Sequence, residues 1–229
     1  MTHPLSPNSL IQSLLLSAPE RLSVLERVHL DMGPWTEQSG DGSNFLYFPD
    51  DALLGVSSDL KRSAVKHAAP CAWLGCHGVW SPNPVLSSGL QVQVMVAGWA
   101  FRVPERTLLA ADKRLSSWGL QMAASSQKLL SQMAQMSFCV RHHTVEQSLA
   151  SWLLMAWHHS PGHRLQVPVA SLQAGFGLAP ETWQQAWQKL HGLGAVTLTG
   201  QGALAEIQSR LLPPLSGLAC SCHHKIQVN

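Results

Sequence analysis

The stretch Thr144-Val145-Glu146-Gln147-Ser148-Leu149-Ala150-Ser151-Trp152-Leu153-Leu154-Met155 is the one on which the fold turns. It opens with a capping box: the Thr144 hydroxyl can accept from the Gln147 amide, and the Gln147 side chain can reach back. Leu149, Trp152, Leu153 and Ala156 then recur at the spacing of one helical face. His158-His159-Ser160-Pro161-Gly162 breaks that helix. Downstream, residues 167–178 predict a short helix with Pro168 near its start and Gly175-Phe176-Gly177-Leu178 at its end. Ala179-Pro180-Glu181-Thr182 opens another helix, whose apolar stripe is Trp183, Ala186, Trp187 and Leu190. Gly192 and Gly194 stop it, Val196-Thr197-Leu198 alternates as a strand, Gly200-Gln201-Gly202 turns, and residues 204–207 return. Helix, tight glycine turn, helix and β-hairpin is the order of a winged helix-turn-helix.

Upstream of the capping box, Pro104-Glu105 starts a helix with proline at the first helical position and an acid at the positive helix end. No proline follows until Pro161. The expected helix over 105–139 would be ~50 Å long at 1.5 Å per residue, longer than a small β domain. Leu115, Met122, Leu129 and Met136 recur every seven residues, with Trp118, Ser125, Gln132 and Cys139 as a more mixed second stripe. That pattern predicts a dimerisation helix packed against its symmetry mate, the alternative being a core helix laid on its own β domain. Before it, glycine, proline, serine and aspartate punctuate short apolar runs at 44–48, 52–56, 64–67, 71–74 and 92–103, the texture of a compact all-β unit. Two short helices, over 8–16 and from Pro19 to Arg27, precede the strands. The expected class is α+β: a jelly-roll-like β-roll over 1–104, a long dimerisation helix over 105–139, and a winged helix-turn-helix over 140–229.

Composition narrows the function. Apolar residues make up 45% of the 229 and nine are tryptophan, which excludes a disordered chain. Charged residues are only 12%, about half the usual share, and the formal net charge is +2. A nucleic-acid binder normally shows clustered lysine and arginine; here only 5 basic and 3 acidic residues follow position 139. No apolar run reaches the ~18 residues of a membrane span. The start lacks a basic, apolar leader, so the sequence predicts a cytoplasmic protein with reduced thiols. G-x-S-x-G, H-E-x-x-H and the phosphate-cradling glycine loop are all absent, so no enzyme is expected.

The run from Val145 to Met155 resembles the helix that follows the dimer helix in bacterial Crp/Fnr-type regulators, where many members read close to V-E-Q-R-L-A-R-W-L-L-M. Leu46-Tyr47-Phe48-Pro49 with Leu53-Leu54 is similar to the Y-F-P segment of their β-roll, and Asn8 to Leu14 to their opening N-x-L-L-x-x-L. Gly177 falls on the turn glycine, and Leu218-Ala219-Cys220-Ser221-Cys222 on a recurring A-C-x-C tail. The resemblance implies a homodimeric transcription regulator whose partners are promoter DNA, a second copy of itself and RNA polymerase. Its departures concern function. Ala179 and Pro180 stand where basic residues are usual, and Thr199, Gly200 and Gln201 replace a basic wing. No R-G-E-like phosphate loop lies in 71–90 and no cysteine in the first 70 residues, so neither a cyclic nucleotide nor an iron–sulfur cluster is expected, and no cofactor.

Within the expected recognition helix, Glu181, Thr182, Gln184, Gln185, Gln188 and Lys189 lie off the apolar stripe and are the candidate base and phosphate contacts. Glutamine can bond bidentately to adenine, threonine can touch a thymine methyl, and lysine can reach phosphate or guanine. The scarcity of cations predicts weak binding. The alternative is a member that has lost DNA reading and serves as an interaction or heterodimer partner, with Trp183, Trp187 and the low charge as its contact surface. Metal or haem ligation by Cys220, Cys222, His223 and His224, or a metal or redox pair of Cys71 and Cys76 with His77 and His67, is a minor reading; no metal site is expected.

Overall fold

The computed structural model describes residues 6–17, 23–35, 44–58, 71–82, 89–109, 116–160, 164–176, 178–200, 204–208, 217 and 219. The chain opens with α1 (Ser9–Ser17). Asn8 sets its position: its side-chain oxygen accepts the Leu10 and Ile11 amides at 3.0 and 3.3 Å, and its amide donates to the carbonyls of Pro49 (2.8 Å) and Gly78 (3.1 Å). One buried asparagine thus caps the helix and ties it to the β unit.

That unit contains β1 (Glu26–Leu30), β2 (Gly33–Pro34), β3 (Phe45–Pro49), β4 (Leu53–Ser58), β5 (Ala72–Leu74), β6 (Leu90–Val96) and β7 (Gly98–Pro104). They form two antiparallel sheets, β1-β7-β3 and β2-β6-β4-β5, the β-roll expected from the punctuated apolar runs. The interior is packed with Leu54, Val56, Ala72, Leu74, Trp80, Val92 and Val94. Glu26 and Arg27, assigned above to a second short helix, belong to strand β1. The reason is non-local: β1 pairs with β7 along five residues, Arg102 bonds both oxygens of Glu26 at 2.8 and 2.9 Å, and the Arg27 guanidinium lies 4.6 Å from the Trp99 ring. Cross-strand contacts outweigh local propensity here.

Beyond the roll come α2 (Glu105–Leu109) and α3 (Ser116–His142), so the long helix runs three residues past its expected end. Leu115 lies outside the described residues. The described members of the seven-residue stripe expected to face a second copy also pack on the chain's own body. Met136 is buried in the largest apolar cluster, and half-buried Met122 and Leu129 pack against two others. The mixed stripe sits on the same side because its polar members bond α1 and the roll. Trp118 Nε1 donates to the Leu10 carbonyl (3.0 Å) and Ser125 Oγ to that of His77 (3.3 Å). Gln132 Oε1 accepts the Trp73 amide at 2.9 Å. A heptad repeat reports periodic burial and is silent on whose surface does the burying.

α4 (Val145–His159) carries the capping box as read: Gln147 N donates to Thr144 Oγ1 at 3.3 Å and Thr144 N to Gln147 Oε1 at 3.1 Å. Replacing Thr144 with alanine is expected to cost about 1 kcal/mol, measured as a lowered urea midpoint with unchanged m-value. Next is β8 (Arg164–Pro168), a strand where the sequence reading began a helix at 167; α5 (Val169–Phe176) starts after it. β8 exists because Leu165 and Val167 alternate inward and pair with Ile207 and Ala205. α6 (Pro180–Gly192), β9 (Thr197–Thr199) and β10 (Leu204–Gln208) complete the module, with sheet order β8-β10-β9. Gly194, at φ 67°, takes the left-handed turn that stops α6. The turn glycine Gly177 is outside the described residues.

The winged module and the β-roll share one core. Trp152 of α4 meets Trp73 of β5 edge-on at 4.2 Å, and Leu53 and Met95 of the roll join Leu149, Leu153, Leu190 and Ile207 in the same cluster. Among the described residues, no helix is long and apolar enough to cross a membrane.

Candidate nucleic-acid interface

α6 is held from one side. Trp183, Ala186, Trp187 and Leu190 are buried, with Trp183 and Trp187 stacked at 5.4 Å and 12°. Pro180 fixes the first helical φ, and Ala179 supplies no side-chain cap. The opposite face carries all six predicted contacts, Glu181, Thr182, Gln184, Gln185, Gln188 and Lys189, and every one is exposed. The tryptophans that the interaction-partner reading counted as surface are interior, 5% and 8% exposed.

The electrostatics of this face are weak for phosphate. Between Thr144 and Gln208 the chain has two basic residues, Arg164 and Lys189, against three acids, Glu146, Glu181 and Glu206. Lys189 Nζ already bonds Glu146 Oε1 at 3.2 Å. Backbone hydrogen bonding, then the Lys189 ammonium and the Thr144 hydroxyl, hold the Glu146 carboxyl below its ordinary pKa. Glu181 suits the positive end of α6 but repels phosphate there. The sequence reading missed the partner of Lys189, because Glu146 sits 43 positions away on another helix.

A second surface lies on α3. Opposite its buried side, Leu120, Leu130 and Phe138 are 74%, 58% and 49% exposed, with exposed Ala123 and Ala134 between them. Leu120, Ala123, Gln127, Leu130, Ala134 and Ser137 follow the three-four spacing of a coiled-coil seam.

The histidine and cysteine candidates separate. Cys71 Sγ contacts the Val56 carbonyl at 3.2 Å, and burial pushes the Cys76 thiol up. Among the described residues no three His, Cys, Asp or Glu side chains are grouped to hold a metal. His67, Cys220, Cys222, His223 and His224 fall outside those residues. His142 packs on Phe138 at 4.4 Å, whereas His159 is drawn into the junction between α4, α3 and the roll, which its sequence context did not signal.

No protein-family model and no curated relative matches the chain. Solved structures do. FixK2 from Bradyrhizobium japonicum superposes with a TM-score of 0.61 at 14% identity, over 86% of this chain and 98% of that one. CLP, a c-di-GMP-responsive global regulator from Xanthomonas campestris, gives 0.57 at 12% identity, over 84% and 98%. A CRP/FNR-family transcriptional regulator from Thermus thermophilus gives 0.55 at 14% identity, over 84% and 97%. The order β-roll, long helix, winged module is common to the sequence reading, the geometry and these neighbours, and the chain therefore has the Crp/Fnr-type fold.

Proposed function

We propose that this chain is a homodimeric, non-catalytic transcription regulator of the cytoplasm that reads promoter DNA through α6 and does so with low affinity. The observation that carries the reading is the outward face of α6: three glutamines, a threonine and a lysine exposed together on a helix anchored from behind. Such a face can enter a major groove, where glutamine reads adenine and threonine a thymine methyl. The lack of an R-G-E-like phosphate loop in 71–90 supports a signal other than a cyclic nucleotide. Contact with RNA polymerase belongs to the same proposal.

Salt-titrated anisotropy on promoter fragments tests it. With so few cations, the slope of log K against log salt is expected to stay below about 5 in magnitude, against larger values for binders with 6–10 phosphate contacts. Lys189→Ala is expected to reduce that slope by about 1 per protomer and to weaken all sequences alike. Absence of binding to any fragment, with the dimer intact, sinks the proposal. It would favour the second reading, an interaction or heterodimer partner, for which the ion pair Lys189–Glu146 and the acid Glu181 speak.

We propose that the dimer seam runs along the exposed face of α3 through Leu120 and Leu130, since Met136 is buried in the chain's own core and Met122 and Leu129 pack in part against it. Leu130→Glu is expected to turn the dimer into monomer in analytical ultracentrifugation, because it places like charges across a two-fold seam. A dimer of unchanged affinity would show that another surface holds the copies together.

A further inference from the structure

The last turn of α4 rests on the β-roll through His159. Its carbonyl accepts the Cys76 amide at 3.2 Å, and Gly75 packs so close to that oxygen that a Cβ would overlap it. The ring of the same residue meets Gln132 of α3. Two bonds to one strand residue fix the orientation of Gln132: its Oε1 accepts the Trp73 amide at 2.9 Å, and its Nε2 donates to the Trp73 carbonyl at 3.4 Å. Gln132 Nε2 therefore faces the ring as a donor, 3.0 Å from His159 Nε2, and the imidazole accepts there. A second proton on the ring would set donor against donor. Turning the Gln132 amide round to accept that proton would break its bond to the Trp73 amide instead.

The surroundings offer a charged ring no counter-charge. α3 contributes Lys128, the turn after β5 contributes Cys76 and His77, and α4 itself contributes His158, while Trp73 and Leu74 of β5 do not titrate. The His77 and His159 rings lie 6.4 Å apart. Among the described residues no acid lines this junction; Asp50 acts on the buried Cys76 thiol, which burial keeps protonated. Burial, then His77, His158 and Lys128, push the His159 pKa down to about 3, and burial with Lys128 lowers that of His77. His159 as a whole is half-buried, so a short outward movement of the turn brings its ring into water.

We propose that this junction is an acid-sensitive latch: neutral His159 docks the last turn of α4 on the roll, and a proton on its ring, opposed by the Gln132 donor and by Lys128, His77 and His158, releases it. The open form binds the proton more readily than the docked form. Docking is thus at full strength above the ordinary histidine pKa of about 6.5 and weakens as the pH falls below it. α4 also carries Trp152 onto Trp73 and is followed by β8, so its release loosens the hold of the winged module on the roll.

Native-state hydrogen exchange of the full chain tests this. Between about pH 7.5 and about pH 5 the protection factor of the Cys76 amide is expected to fall about 30-fold, the ratio for a histidine that takes its proton only in the open form. The Tyr47 amide, bonded to the Trp80 carbonyl at 2.7 Å within the roll, should change less than ~3-fold. His159→Gln keeps an acceptor for Gln132 and takes no charge, so the fall at Cys76 should shrink to below ~3-fold. Gln132→Glu presents a carboxylate to the ring; the His159 pKa, followed by NMR, should rise, and Cys76 should keep its protection at the lower pH. Equal protection of Cys76 at both pH values in the unaltered protein, an equal fall at Tyr47, an undiminished fall in His159→Gln, or no rise of the ring pKa in Gln132→Glu would each overturn the proposal. Exchange is measured without DNA, so this outcome and that of the DNA proposal are separable.

Discussion

Replacing Trp152 with alanine is expected to destabilise the protein by about 3–5 kcal/mol, the range for removing a fully buried large aromatic side chain. Trp152 is 0% exposed and touches elements of both halves: Trp73 of the roll at 4.2 Å and Phe176 of the winged module at 5.2 Å. A core shared in this way melts as one unit. The loss should appear as a single cooperative transition moved down by roughly 6–20 °C, at about 2–4 °C per kcal/mol for a chain of this size. A drop below about 1 kcal/mol, or a roll that keeps its own transition while the winged module melts early, would show that the two halves are not joined through this tryptophan.

The second large effect is expected at Gly75. A Cβ there would overlap the carbonyl oxygen of His159 and lie 2.8 Å from its carbonyl carbon, and the Cys76 amide bonds that same oxygen at 3.2 Å. Both groups are backbone and cannot swing aside. Gly75→Ala is therefore expected to push the end of α4 off the roll, costing about 3 kcal/mol, the upper part of the overpacking range. The measurement is denaturant unfolding together with limited proteolysis after α4, which should become faster. Gly78→Ala is the control. Its Cβ would meet Leu74 Cδ2 at 2.7 Å, the far end of a flexible side chain, so a smaller loss is expected. Equal losses at the two positions would contradict the assigned contact.

Both predictions concern the junction, which is where the sequence was hardest to read. Local signals survived well. The capping box of Thr144 and Gln147 acts within four residues, and the Trp183–Leu190 stripe of α6 repeats within three turns, so each can be read without knowing the fold. The six exposed candidates on α6 follow from that stripe by elimination. Strand β8 was missed because five residues between two helices carry little alternation of their own, and its partner β10 lies about forty residues downstream. Glu26 and Arg27 were misassigned for the same reason, since β7 decides them from about seventy-five residues away.

The long helix shows a different limit. Met122, Leu129 and Met136 form the cleaner stripe, and apolar periodicity suggested a partner chain. What places that stripe is the polar set beside it: Trp118, Ser125 and Gln132 each bond a backbone group 48 to 108 residues distant. Buried polar side chains need specific partners, and such partners have no local signature. The same holds for His159, whose tautomer depends on Gln132 and whose carbonyl depends on Cys76.

The central claim, a dimer that reads DNA through α6, is tested most directly by selecting binding sites from a random DNA pool at low salt with the intact dimer. The expected result is enrichment of a two-fold symmetric site with half-sites about one helical turn apart, and its loss when Gln184, Gln185 and Gln188 are together replaced by alanine. A dimeric protein that enriches no sequence above the starting pool would contradict it.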